Sequence, residues 1–274
     1  MNTFATICTI ILCLVPHGDL HDKIKGLDRQ IIGQPRSIEL RLMRGEFLRL
    51  HGEQIKALKD FQVAEDIDPQ GAAVHLLKGQ LFFDMKRHRA AAKELTRFLK
   101  AKPQSPEGLR AMAKNELARG DSDQAIALYR QLLRASPANI PDDILACARL
   151  IARAKNFGAS KAAEFLQSEL KTRGPLIVLE LEAIQMETTA RLFDAAIDRI
   201  NRLSKKSKRQ DLWDVRRAGV YRASGNVKSE MASWQAAKKN LKDLPTHVRR
   251  RPGTVAQGQK IEQEIKRLSL KKRD

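Results

Sequence analysis

Prolines stand at Pro35, Pro69, Pro103 and Pro137, each 34 residues after the last. Ala57, Ala91 and Ala125 keep the same interval, as do Gly45 and Gly79, with Ala113 in the next such place. Three residue classes sharing one period and one phase restrict the chain to stacked copies of a single supersecondary unit. The residue types say what that unit is. Ala, Leu, Lys, Arg, Glu and Gln dominate, side chains that lose little freedom in a helix, and aromatics are only 5%. A Gly or Ala midway along a first helix lets a second helix come close, and the Ala of the second helix suits the tightest crossing. Proline then ends the pair, because it cannot donate the helical hydrogen bond. Gly52 and Gly120 fall between the paired helices, where a positive φ is cheap for glycine. Phe61, Leu95 and Tyr129 are expected to fill the space between neighbouring units.

These positions resemble the tetratricopeptide repeat family. The first unit offers Gly45, Leu48, Gly52, Ala57, Phe61, Ala64 and Pro69. The second offers Gly79, Phe82, Ala91, Leu95, Phe98 and Pro103, and the third Ala113, Gly120, Ala125, Tyr129, Leu132 and Pro137. The family's early Trp is missing, with Arg41 in its place in the first unit. The resemblance implies an all-α fold, an α-solenoid of antiparallel helix pairs wound as a right-handed superhelix. It implies a non-catalytic interaction scaffold that binds a protein or peptide segment in the concave groove lined by the first helices. In this chain that face would carry Glu46, Arg49, Gln80, Phe83, Arg110 and Lys114. Arg110 and Lys114 lie one helical turn apart, so both could meet a carboxylate. The Asn partners of the family's carboxylate clamp are absent at the matching positions.

The chain divides, on this reading, into an apolar leader over 1–18, a half-repeat helix over 19–35, and three well-matched repeats over 36–139. Divergent helix pairs follow over 140–243, then a basic linker and C-terminal helix over 244–274. Pro175 comes four residues late, which signals an insertion in the fourth pair. Cys147 takes a small-residue position on the first helix of that pair, as a packing thiol.

The apolar run Phe4 to Val15 is too short to span a membrane, which takes roughly 20 apolar residues. It matches the apolar core of a secretory signal, so export to the periplasm or medium is expected, with a cytoplasmic location if the run is no signal. His-Gly-Asp-Leu-His just after it also resembles the start of small exported bacterial repeat proteins. His17 and His21 flank Asp19 there, and two imidazoles with a carboxylate offer a second, metal-binding reading.

The formal charge is +19, and after Leu203 about 20 Lys and Arg stand against about 7 acids. The runs 205–209, 249–251 and 271–273 therefore offer an electrostatic alternative, an anionic membrane or an acidic partner. Nucleic acid is disfavoured, because no aromatic side chain interleaves with these charges. No phosphate-binding loop, nucleophile elbow or His-Glu-x-x-His motif is present, so no enzyme activity, cofactor or small-molecule substrate is expected.

Overall fold

The computed structural model describes residues 17–135 and 141–271, with side chains for 20–135 and 141–270. The apolar run Phe4 to Val15, Pro137 and Asn139 lie outside the described residues. Among the described residues there are fifteen helices and no strand. The chain forms two compact units, Met1–Pro137 and Ala138–Asp274.

Unit 1 begins with α1 (His17–Gly33) and continues as three helix pairs. These are α2 (Ile38–Leu50) with α3 (Gln54–Ile67), α4 (Ala72–Asp84) with α5 (His88–Ala101), and α6 (Pro106–Ala118) with α7 (Ser122–Ala135). Unit 2 repeats the plan with α8 (Pro141–Arg153) and α9 (Gly158–Arg173), α10 (Ile177–Thr189) and α11 (Phe193–Ser204), and α12 (Gln210–Ser224) and α13 (Val227–Lys242). A short α14 (Thr246–Arg249) and a long α15 (Pro252–Lys271) close it. Within each unit the chain is an α-solenoid of helix pairs.

The turn inside five of the six pairs, all but the fourth, recurs almost atom for atom. Glu53 N–H donates to the Leu48 carbonyl at 2.8 Å, and Arg87 to Phe82, Asp121 to Glu116, Leu192 to Glu187 and Asn226 to Tyr221 do the same at 2.8 to 2.9 Å. This six-to-one bond of a helix C-terminus needs a left-handed residue just before the donor. Gly52, Gly120 and Gly225 provide it at φ between +77° and +89°. Lys86 and Arg191 hold φ near +60° at the matching places, though a side chain there is strained. The turns between pairs hold Pro35, Pro69 and Pro103, and Ser37 and Ser105 then cap the next first helix, each hydroxyl accepting a backbone N–H at 3.3 Å.

The glycines of the first helices sit where the second helix crosses. A Cβ on Gly79 would lie 2.6 Å from Leu95 Cγ, and one on Gly45 would meet the Phe61 ring. This corrects one expectation: Phe61 and Leu95 do not simply fill the gap between units but seat on the glycine of their own pair. Ala57, Ala91, Ala125 and Ala196 are fully buried on the facing helices. Cys147 is buried at the place of Gly45 three periods on. The four extra residues of the fourth pair fall in its inner turn. Gly120 and Gly158, both at positive φ, are 38 residues apart instead of 34.

The core of unit 1 runs unbroken from α1 into the first two pairs, through Leu20, Ile24 and Leu27, Leu42 and Phe47, then Phe61, Val74 and Leu81. The amphipathic α1 thus covers the open side of the first pair. At the other end Ile261 and Leu268 of α15 pack with Trp234, Ala237 and Ala218. Each buried Leu or Ile removes enough apolar surface to contribute roughly 1.5–3 kcal/mol.

Candidate functional site

The first helices α2, α4 and α6 of unit 1 place Glu46, Gln80 and Lys114 in one register and Arg49, Phe83 and Leu117 in another. The side chains there behave differently from what the register alone suggests. Arg49 grips Glu46 through two 2.7 Å hydrogen bonds and also reaches Asp84 on the next first helix. Burial works against the Arg49 charge, yet the hydrogen bonds of Glu46 and the nearby Asp84 hold its pKa above the usual guanidinium value. Glu46 is 9% exposed. Glu46 and Arg49 therefore tie α2 to α4 and are engaged with each other and with Asp84 within the chain. Asp84 is the partner that residue order did not reveal.

On this face Lys114 is exposed, and Arg110, Gln80 and Phe83 are half-exposed. The Phe83 ring has the His88 ring edge-on at 5.5 Å and Lys86 above it at 6.0 Å. Leu50 and Leu117 are 42% and 41% exposed at the same end of their helices. Neither was singled out from the sequence, although Leu117 lies one period after Phe83.

A second pattern crosses the pairs. Arg41 donates to Asp60 at 3.1 Å and His75 Nδ1 lies 2.8 Å from Glu94, each pair 19 residues apart. Glu180 and Arg199 keep that spacing with the charges exchanged. The third unit carries buried Leu109 and Leu128 at the same places. Asp60 also accepts from Arg44 at 2.7 and 2.6 Å, and with Asp28 raises the Arg44 pKa against the pull of burial. In unit 2, Arg199 sits among Glu187, Glu180 and Gln167 on the wall of a cleft of about 680 Å³, with Lys171 and Arg202 at its rim.

Among the described residues, Glu65, His75 and Glu94 are the His, Cys, Asp and Glu side chains close enough to share a metal ion. Lys78 Nζ already lies 2.6 Å from Glu65 and 3.5 Å from Glu94, so an ammonium supplies the positive charge there. The cluster fits an internal ion pair better than a metal centre.

Residues 76–140 match the tetratricopeptide repeat family. Over that stretch the chain is similar to tetratricopeptide repeats. A tetratricopeptide repeat protein from Parabacteroides merdae has a similar fold at 14% identity, covering 92% of this chain and 93% of its own, with a TM-score of 0.50. PilF of Pseudomonas aeruginosa is 12% identical over 85% of this chain and 99% of its own, with a TM-score of 0.50. A Naa15/Naa10 structure with bound HypK-THB aligns over 82% of this chain and 38% of that one, at 16% identity and a TM-score of 0.51. Identities this low speak for the fold alone. A search of curated proteins finds no match.

The remaining sequence candidates sit on the repeats as follows. His21 stacks with His51 of the first repeat, ring centroids 6.3 Å apart. The His17 side chain, the other half of the His17 and His21 metal reading, lies outside the described residues. Lys205, Lys206 and Lys208 are exposed between the fifth and sixth helix pairs, whereas Arg209 is engaged by Asp211 through two bonds of 2.9 and 2.8 Å. Arg249, Arg250 and Arg251 are exposed around α14, and residues 272–274 lie outside the described residues. No described helix is long and apolar enough to cross a membrane.

Proposed function

We propose that the chain is a non-catalytic scaffold that holds a protein segment on the face formed by α2, α4 and α6. The observation that carries this is the exposed apolar edge of Leu50, Phe83 and Leu117 beside the cationic Lys114, on helices whose spacing Arg49 and Asp84 fix. Apolar anchors with a few charges on a rigid helical frame suit groove recognition of a peptide. The test is affinity capture with the full chain and with a Phe83→Ala/Leu117→Asp double variant. Loss of the captured proteins with unchanged circular dichroism supports the reading, and an unchanged profile refutes it.

The exposed Lys205, Lys206, Lys208 and Arg249 to Arg251 favour a second reading, electrostatic attachment to an anionic membrane. That reading predicts binding to phosphatidylglycerol vesicles that falls steeply with salt. Export of the chain, argued from the run Phe4 to Val15, is tested by sequencing the N-terminus of the secreted product.

A further inference from the structure

The arginines of unit 2 with buried or half-buried stems are nearly all matched to acids. Arg173 donates to Glu169 at 2.7 Å, Arg199 to Glu187 at 2.6 Å, Arg217 to Asp214 at 2.5 Å and Arg222 to Glu230 at 2.8 Å. Arg216 on α12 is different. Its guanidinium carbon lies 5.3 Å from the centre of the Trp213 ring, and its one hydrogen bond goes to the Leu212 carbonyl of its own helix at 3.3 Å. No described carboxylate lies within ion-pair distance of it. Desolvation lowers its pKa with nothing acting to raise it. A guanidinium carries five N–H donors in a planar fork, so most of this donor set has no acceptor among the described residues.

The ground beside it is bare. Leu212, Gly219 and Ala223 lie three or four residues from Arg216 or from each other, on one strip of α12. A Cβ added to Gly219 would meet nothing within 4 Å, and Gly219 and Ala223 are exposed. On α10 the strip of equal register shows Val178, 44% exposed, with Gln185 and Thr189. The acid on that strip, Glu182, is engaged by Arg149 through two bonds of 2.9 Å. The face thus offers small and apolar side chains, room for a backbone, and one unmatched half-buried cation resting on an indole. Burying a cation without a counter-charge is unfavourable, and the free chain gains no ion pair from it.

We infer that Arg216, held over Trp213, anchors a Glu or Asp side chain of an acidic peptide segment lying along the α10 and α12 faces of unit 2. The inference rests on the reading of first-helix faces as partner-binding surfaces, and it names the chemistry of the occupant. With the guanidinium held over Trp213 and only one N–H group engaged, a carboxylate can dock on two others at once. The excess of Lys and Arg after Leu203 gives the approaching acidic segment a favourable field.

The test uses the full chain and fluorescein-labelled nonapeptides of Ala and Leu with one central Glu, against twins with Gln, read by anisotropy. The Glu peptide is expected to bind about tenfold more tightly, the scale of a charge-assisted bidentate contact. Arg216→Met, which keeps the stem over Trp213, should erase that preference while leaving the melting temperature equal or higher. Lys93→Gln, an exposed residue on α5, should leave the preference intact. A preference that survives Arg216→Met, or a melting temperature that drops with it, overturns the assignment. Equal binding of the Glu and Gln peptides overturns it too but leaves the scaffold reading standing, whereas no binding of either removes both. Preference for a thymidine oligonucleotide over the Glu peptide, lost in Arg216→Met, would give the site to phosphate instead.

Discussion

The three side chains His75, Lys78 and Glu94 form a buried ionic set in the second repeat, and the third repeat holds Leu109, Met112 and Leu128 at the same places. The fold therefore accommodates either chemistry at one site, which permits a sharp experiment. In Glu94→Leu, His75 loses its 2.8 Å partner and Lys78 loses a carboxylate at 3.5 Å. The side chains involved are only 8 to 10% exposed, so water restores little. Lys78 keeps Glu65 at 2.6 Å, which sets the loss at the low end for a broken buried pair, about 3 kcal/mol. The triple change His75→Leu, Lys78→Met, Glu94→Leu copies the third repeat and leaves Glu65 with Arg97 at 3.5 Å. Its stability should lie within about 1 kcal/mol of the wild type, or above it, since an apolar trio of similar volume needs no desolvation of charge. Repeat arrays need not unfold in one step, so the readout is native-state hydrogen exchange of the α4 and α5 amides in the full chain. The expected order of opening free energies is single variant lowest, wild type and triple variant together. A triple variant weaker than the single one would refute the reasoning, because the ion pairs would then exceed their apolar substitutes.

Lys86→Gly and Arg191→Gly, each relieving a side chain at φ near +60°, should raise stability by about 1 kcal/mol apiece in urea titrations, with no gain at a neighbouring turn residue of ordinary φ. Gly79→Ala should lower it by about 1–2 kcal/mol as the new Cβ meets Leu95, whereas Gly26→Ala in α1, facing open space, should raise it by roughly 0.5–1 kcal/mol in the same assay. Burial pushes the Glu264 carboxyl up, but hydrogen bonds from Arg267 and Arg222 outweigh it and hold the pKa below the ordinary value. Its contribution is therefore complete above the unfolded carboxylate pKa and lost as pH falls through the lower folded one. Acid should loosen α15 from Trp234 in wild type, seen as a change in Trp emission, and this pH dependence should shrink in Glu264→Gln.

The positions that the sequence made legible are those where the backbone makes a demand. A left-handed turn residue, a proline between pairs and a small residue at a helix crossing each exclude most side chains, so they recur at 34 residues and can be counted. Lys86 and Arg191 escaped notice because the six-to-one bond tolerates a strained side chain where glycine would be easier. The ionic framework escaped for another reason. Arg41 with Asp60, His75 with Glu94, Leu109 with Leu128 and Glu180 with Arg199 share a spacing but no residue class. The physical requirement there is that two facing side chains match each other. Glu46 and Arg49 looked open for a related reason: Asp84, which closes them, comes from the next repeat.

This difference bears on where selectivity for a partner resides. Periodic residues build the same turn in every pair but the fourth, so they cannot distinguish one first-helix face from another. The face residues follow no period: Glu46, Gln80 and Lys114 in unit 1 correspond in register, yet one is paired internally, one is neutral and one is exposed and cationic. In unit 2 the equivalent strip runs through Gln185 and Gly219, with Arg216 beside it as the one half-buried cation lacking an acid. Changing a periodic residue should therefore weaken every ligand through the fold, whereas changing Phe83, Lys114 or Arg216 should alter which ligand is held at nearly constant stability.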